Sequence, residues 1–270
     1  MPLGTFMRHI AAQLRPRRLS QIASSLYARI HPPRPNSVAS LTAATQDRTG
    51  LELGGPSRVF SARAILPVYP SALRIDNVNF ASQTAWEAGL KDGGEFHFAA
   101  GKPPGRQFLR EATALTGIAD ASYDFVLSSH CLEHVANPLS ALHEWRRVIR
   151  DGGHLLLILP NPRHTFDRRR PTTSLAHLHE DYLRQTGEDD LTHLPEILAL
   201  HDLALDPNAG SLEQFRARSL LNAQNRCLHH HVFDLPLMRT MLAETGWSVL
   251  AQEEVRPMHL LALAQKEAAT

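Results

Sequence analysis

The sequence predicts an α/β fold: a mostly parallel sheet of seven strands, helices on both faces, and a helical insertion after the fifth strand. Three observations carry that expectation. Apolar runs bounded by polar residues recur in "GLEL", "ALRIDNVNF", "QFLREATAL", "YDFVL" and "HLLLIL", the pattern of buried strands. Between the last two runs, Leu139, Leu142, Trp145 and Val148 repeat at helical spacing, and the segment stops at Gly152 and Gly153. The run from His154 to Leu159 is nearly continuous in apolar residues, as expected of a strand covered on both faces in a parallel sheet.

Residues 1–46 form a basic extension, with Arg8, Arg15, Arg17, Arg18, Arg29 and Arg34 and no acid before Asp47. Phe6, Ile10, Leu14, Leu19, Ile22, Leu26 and Ile30 recur at helical spacing, so amphipathic helices are expected before "HPPRPNS" interrupts them. They suit an accessory helix, a cleaved transit peptide, or peripheral membrane contact through residues 1–35. The main domain spans 47–270. Its first strand ends in Glu52 and Leu53, before Gly54, Gly55 and Pro56. The second is expected to close on Asp76, the third near Glu111, and the fourth spans Tyr123–Leu127. Residues 163–231 break the alternation with a polar stretch rich in histidine and arginine, read as the insertion. A helix capped by Asp234 and ended by Gly246, then "SVLAQEEV" and "HLLALAQK", restores it.

A chain of 270 residues, 43% hydrophobic and 20% charged, is long enough for a full core. The net charge of +1 argues against nucleic acid as a partner, and no apolar run approaches the roughly 20 residues needed to span a bilayer. Two cysteines, Cys131 and Cys227, make no disulfide framework and suit a reducing compartment. The expected location is cytoplasmic, with contact at the inner face of the membrane if the extension binds lipid.

One motif invites a metal reading. His130, Glu133 and His134 form His-x-x-Glu-His, a zinc peptidase pattern that needs a helix already running at His130. The preceding run reads instead as a strand, so His130 falls at a strand exit, where open α/β sheets bind ligands. A strand ending in an acid, a glycine turn, and a second strand ending in an acid also suit adenosine recognition. Glycines let the backbone approach the ligand, and the second acid accepts from ribose hydroxyls.

The order "LELGG", "RIDNVNF", "REATAL", "SYDFVLSSHCLEHVANPLSALHEWRRVIRDGGHLLLILP" resembles the class I, Rossmann-like, S-adenosylmethionine-dependent methyltransferases, the type 11 group in particular. The resemblance spans residues 49–160. It implies S-adenosyl-L-methionine as cofactor, with Glu52, Gly54 and Gly55 at its methionine part, Asp76 at the ribose, Glu111 and Ala112 at the adenine edge, and Ser129 and His130 at the exit of the fourth strand. The first loop lacks the family's run of glycines, and "SRVFSARAILPVYPSA" stands in place of its first helix. "LGGPS", "IDNVNF", "TFDRRRPTT" and "HHHVFD" resemble a bacterial subgroup associated with glycan pathways. The implied reaction is O-methylation of a small or glycan-linked hydroxyl acceptor with His130 as base. A non-catalytic methyltransferase-like binding module is the rival reading, and the zinc peptidase a remote one. Arg168, Arg169 and Arg170 in the insertion suit an anionic acceptor. The insertion's histidines match no known ligand spacing, so the sequence assigns no metal.

Overall fold

The computed structural model describes residues 36–84, 86–255 and 257–267. The expectations for residues 1–35 lie outside them. Among the described residues, no helix is long and apolar enough to cross a membrane.

The sheet has eight strands: β1 Thr49–Leu53, β2 Arg74–Asn79, β3 Glu95–Phe96, β4 Gly105–Leu109, β5 Tyr123–Ser129, β6 Ile149–Pro160, β7 Trp247–Val255 and β8 His259–Lys266. Their order is β3-β4-β2-β1-β5-β6-β8-β7. The five central strands run parallel, while β3, β7 and β8 join antiparallel. The added strand is β3. Its two residues carry too short a pattern to register as alternation.

The helices are α1 Val38–Thr45, α2 Val68–Ser71, α3 Pro138–Val148, α4 Leu175–Arg184, α5 Leu194–Leu200, α6 Leu212–Ser219, α7 Asn222–Asn225 and α8 Leu235–Glu244. Only a 3-10 turn at Arg58–Phe60 and the four residues of α2 lie between β1 and β2. This is the irregular connection that the missing helical pattern implied.

The pleat sorts the core into two layers. Leu155, Leu157 and Leu159 of β6 face a cluster with Leu142 and Trp145 of α3 and Met238 and Met241 of α8. Leu156 and Ile158 face Leu41 of α1, Phe60 and Tyr69. Both faces of the central strands are covered, which explains why β6 is apolar without alternation. In α3, Asn137 caps the start by accepting from Ser140 N, and Pro138 occupies the first turn, where no intrahelical donor is needed. Leu139, Leu142, Trp145 and Val148 fill its buried face. The polar segment 163–231 folds into α4–α7 with its own small core around Ile197, Phe215 and Leu228.

Candidate active site

The carboxyl ends of β1, β2, β4 and β5 open onto a cavity of about 260 Å³. Leu53, Gly54, Val78, Asn79, Glu111, Ala112, Ser129, His130, Cys131 and His134 line it from the sheet side, and Glu188 and Arg226 close it from the insertion. Of the residues singled out in the sequence, Gly54, Glu111, Ala112, Ser129 and His130 therefore meet in one place. Glu52, Gly55 and Asp76 do not line it.

Glu52 sits beneath the first loop. It is wholly buried, accepts from Ser57 N at 2.9 Å and from the Tyr69 hydroxyl at 2.7 Å, and burial pushes its carboxyl up to about 7. The loop rests directly on it, because a Cβ on Gly55 would fall 2.3 Å from Glu52 Cδ. Gly55 also exchanges two hydrogen bonds with the Asn77 side chain. Gly54 adopts φ +79°, open to glycine at no steric cost. Glu52 and Gly55 thus shape the loop from below while Gly54 faces the cavity.

Asp76 corrects the sequence expectation. β2 runs three residues past it to Asn79, since Leu53, the last residue of β1, pairs with Val78. The Asp76 carboxylate is turned away and held by Arg74 Nε at 2.9 Å, Arg106 N at 2.8 Å and the Tyr123 hydroxyl at 2.8 Å. Asn79 takes the strand end, and its amide donates to Gly55 O at 3.1 Å. Stopping the strand at the first acid hid it. No local alternation marked the longer strand, because Ile75 and Val78 face opposite layers with two polar residues between them. Asp76→Ala is therefore expected to lower stability, by about 1–3 kcal/mol, because the Tyr123 hydroxyl and Arg106 amide lose their acceptor. Urea unfolding checks this, and an unchanged midpoint would contradict it.

The Glu111–Ala112 turn is placed by α3. Trp145, fully buried, donates from its indole to Ala112 O at 2.9 Å, and Glu144 accepts from Leu115 N at 2.7 Å. Glu111 pairs with Arg226 at 2.6 Å, and that guanidinium also lies 5.0 Å over the Phe80 ring.

His130 leaves β5 in the left-handed region, φ +51°, uncommon for a residue with a Cβ. Its amide bonds Ile158 O at 2.9 Å, which holds the turn. Nε2 lies 2.9 Å from His259 Nδ1, and Nδ1 lies 3.7 Å from Glu133 Oε1. Burial, with help from His259, holds the imidazole down at about 3. Glu133 is buried with no hydrogen-bond partner on either oxygen, and burial pushes it up to about 7. Leu132–His134 form a single 3-10 turn, and His134 Nδ1 faces Leu228 O at 3.0 Å. The two imidazoles of the peptidase-like motif therefore do not share a helical face.

Glu133 has a linkage consequence. Its folded value lies above the ordinary value of 4.5, so between about pH 4.5 and 7 the folded state binds more protons, and stability falls as pH rises through that window. Glu133→Gln is expected to gain a few kcal/mol on the parent between pH 4 and 8. Chemical unfolding at both pH values checks this, and a pH-independent difference would contradict it.

The arginine run is a correction too. Arg170 is 1% exposed and spends its guanidinium on Asp167, Glu196, His229 O and His230 O. Arg168 and Arg169 pair with Asp202. These side chains hold the insertion together and do not line the cavity.

The family profile described as a methyltransferase domain matches residues 89–157. The matched stretch lies within residues 49–160, whose motifs carry the resemblance read from the sequence. No curated protein matches the chain. Among solved structures, it is similar to a SAM-dependent methyltransferase from Aquifex aeolicus, at 13% identity over 88% of this chain and 92% of that one, TM-score 0.47. It is also similar to the 1,6-didemethyltoxoflavin-N1-methyltransferase of Burkholderia thailandensis, solved with 1,6-didemethyltoxoflavin and S-adenosylhomocysteine, at 14% identity over 94% and 91%, TM-score 0.46. At these values the likeness says nothing about the acceptor.

The cavity suits S-adenosylmethionine in part. A glycine at positive φ, a small residue at Ala112 and an amide at Asn79 meet there, with an uncharged group where the family would place a ribose-binding acid.

Proposed function

We propose that the protein transfers a methyl group from S-adenosylmethionine to a hydroxyl of a small or glycan-linked acceptor, with His130 taking the hydroxyl proton. The observation that carries this is a neutral imidazole at the exit of β5, lining the cavity beside a buried, unpartnered carboxyl. Bound in the cavity, S-adenosylmethionine would supply an activated methyl group on sulfur. Gly54, Asn79, Glu111, Ala112 and Ser129 would hold it, with Glu52 and Gly55 shaping the first loop from below.

The acceptor oxygen forms the new bond to the methyl carbon as the carbon–sulfur bond breaks, and its proton must leave. His130 Nε2 accepts it in place of the bond to His259. Nδ1–H then faces Glu133 across 3.7 Å, a separation of the kind that tightens on substrate binding. The ordering of the two groups, about 3 for His130 and about 7 for Glu133, makes the Glu133 carboxylate the final acceptor of the proton and His130 the relay. Turnover is expected to rise with pH through about 7 as Glu133 loses its proton, and a flat profile there in single-turnover assays would count against the relay.

The cavity's two guanidiniums are already matched, Arg226 by Glu111 and Glu188 and Arg110 by Asp92. This favours a neutral acceptor over an anionic one. Free Cys131 and Cys227 are compatible with a cytoplasmic location. Membrane contact through residues 1–35 is tested by deleting them and measuring liposome binding.

Calorimetry with S-adenosylmethionine, followed by assay of S-adenosylhomocysteine formation with a panel of carbohydrate acceptors, tests the proposal. Binding without turnover on any acceptor would favour the non-catalytic module. Asn79→Leu is expected to weaken S-adenosylmethionine binding by about 1–3 kcal/mol through loss of a polar partner at the ribose position. Unchanged affinity in that variant would place the ribose elsewhere.

A further inference from the structure

Away from the cavity, the insertion gathers four side chains that sequence spacing did not reveal. His177 and Asp181 lie four residues apart on one face of α4, His193 immediately precedes α5, and His231 lies in the segment leading to α8. Each offers one ligand atom within 4.8 Å of the other three. His177 Nε2 is 3.0 Å from His193 Nε2 and 3.3 Å from Asp181 Oδ2. A tetrahedron with bonds of about 2.0–2.1 Å to imidazole nitrogen or carboxylate oxygen has edges of about 3.3 Å, close to both separations.

The polar bookkeeping of the cluster also points to a missing partner. Asp181 Oδ1 accepts from Thr186 at 3.1 Å, which leaves Oδ2 turned to the imidazoles, and Oδ2 is buried with no hydrogen-bond partner. His231, 0% exposed, has Nε2 3.2 Å from Ala136 O, so Nδ1, buried and unpartnered, is the nitrogen left to face the cluster. A carboxylate oriented by a hydroxyl, and an imidazole oriented by a backbone carbonyl, are the outer contacts that metal ligands require. The neighbouring trio Glu133, His134 and His229 offers only three ligand atoms, one short of a closed shell.

We propose that His177, Asp181, His193 and His231 form a four-ligand zinc site. Four protein ligands leave no open position, so the ion is structural. It would tie α4, the start of α5 and the 229–231 segment to Ala136. Ala136 N donates to Glu188 Oε1 at 3.1 Å, so the ion would steady the wall that carries Glu188 into the cavity. This assignment replaces the metal-free reading of the sequence and does not depend on the proposed methyl transfer.

The test uses full-length protein purified without a polyhistidine tag. Plasma mass spectrometry is expected to find about one zinc per chain. His193→Ala and Asp181→Asn should each retain less than about a tenth of that, while His179→Ala, an exposed α4 position paired with Glu244, should retain it all. If the ligand variants fail to fold, the parent is stripped with chelator and titrated with Zn²⁺. A rise in melting temperature that saturates at about one equivalent supports the site. Zinc-free parent protein whose melting temperature ignores added Zn²⁺, or full zinc content in the His193 variant, overturns it in favour of an imidazole hydrogen-bond network.

Discussion

His130→Ala is expected to reduce methyl-transfer turnover by about 10²- to 10⁴-fold, the range of a positioned proton acceptor, while S-adenosylmethionine affinity changes far less. The asymmetry follows from placement. His130 reaches the cavity from the end of β5 in a left-handed turn fixed by Ile158 O, whereas Gly54, Asn79 and Ala112 approach from β1, β2 and the turn after β4. Loss of an interaction made only as the proton leaves lowers kcat and kcat/KM together. Single-turnover formation of S-adenosylhomocysteine by the folded variant measures it. Undiminished transfer would remove His130 as the base, and an equal collapse of cofactor affinity would make it a binding residue instead.

Arg170→Met is expected to destabilise the protein by about 3–5 kcal/mol, the cost of breaking a buried ion pair by removing one partner. Asp167, 4% exposed, would keep His229 but lose the guanidinium, and the carbonyls of His229 and His230 would lose a donor. Arg168→Ala, at a side chain 48% exposed and paired with Asp202, should cost under about 1 kcal/mol. Urea unfolding of the two variants side by side checks the contrast. Equal effects would mean that Arg170 does not clamp the insertion.

The same contrast marks how far the sequence alone reached. Apolar runs and helical spacing between residues 49 and 160 determined the parallel core, the α3 face built on Leu139, Leu142 and Trp145, and the glycine turn after β1. Burial of a strand or helix face imposes its period directly on the residues that form it. The exit of β5 at His130 was legible for the same reason, because a strand boundary in an open α/β sheet is where ligands gather.

What the tertiary structure decided depends on register and on contacts far apart in the chain. The pairing of Leu53 with Val78 put Asn79 at the cavity and turned Asp76 toward Tyr123, and no local pattern distinguishes those two polar residues. His259 meets His130 across 129 positions, and His231 meets Asp181 only once the insertion has folded back on Ala136. Three arginines in a row look like a cationic surface until the folded insertion encloses one of them. Hydrophobic period is written locally, whereas the partners of polar groups are chosen by the folded chain, since a buried polar atom must find whatever donor or acceptor packing brings to it.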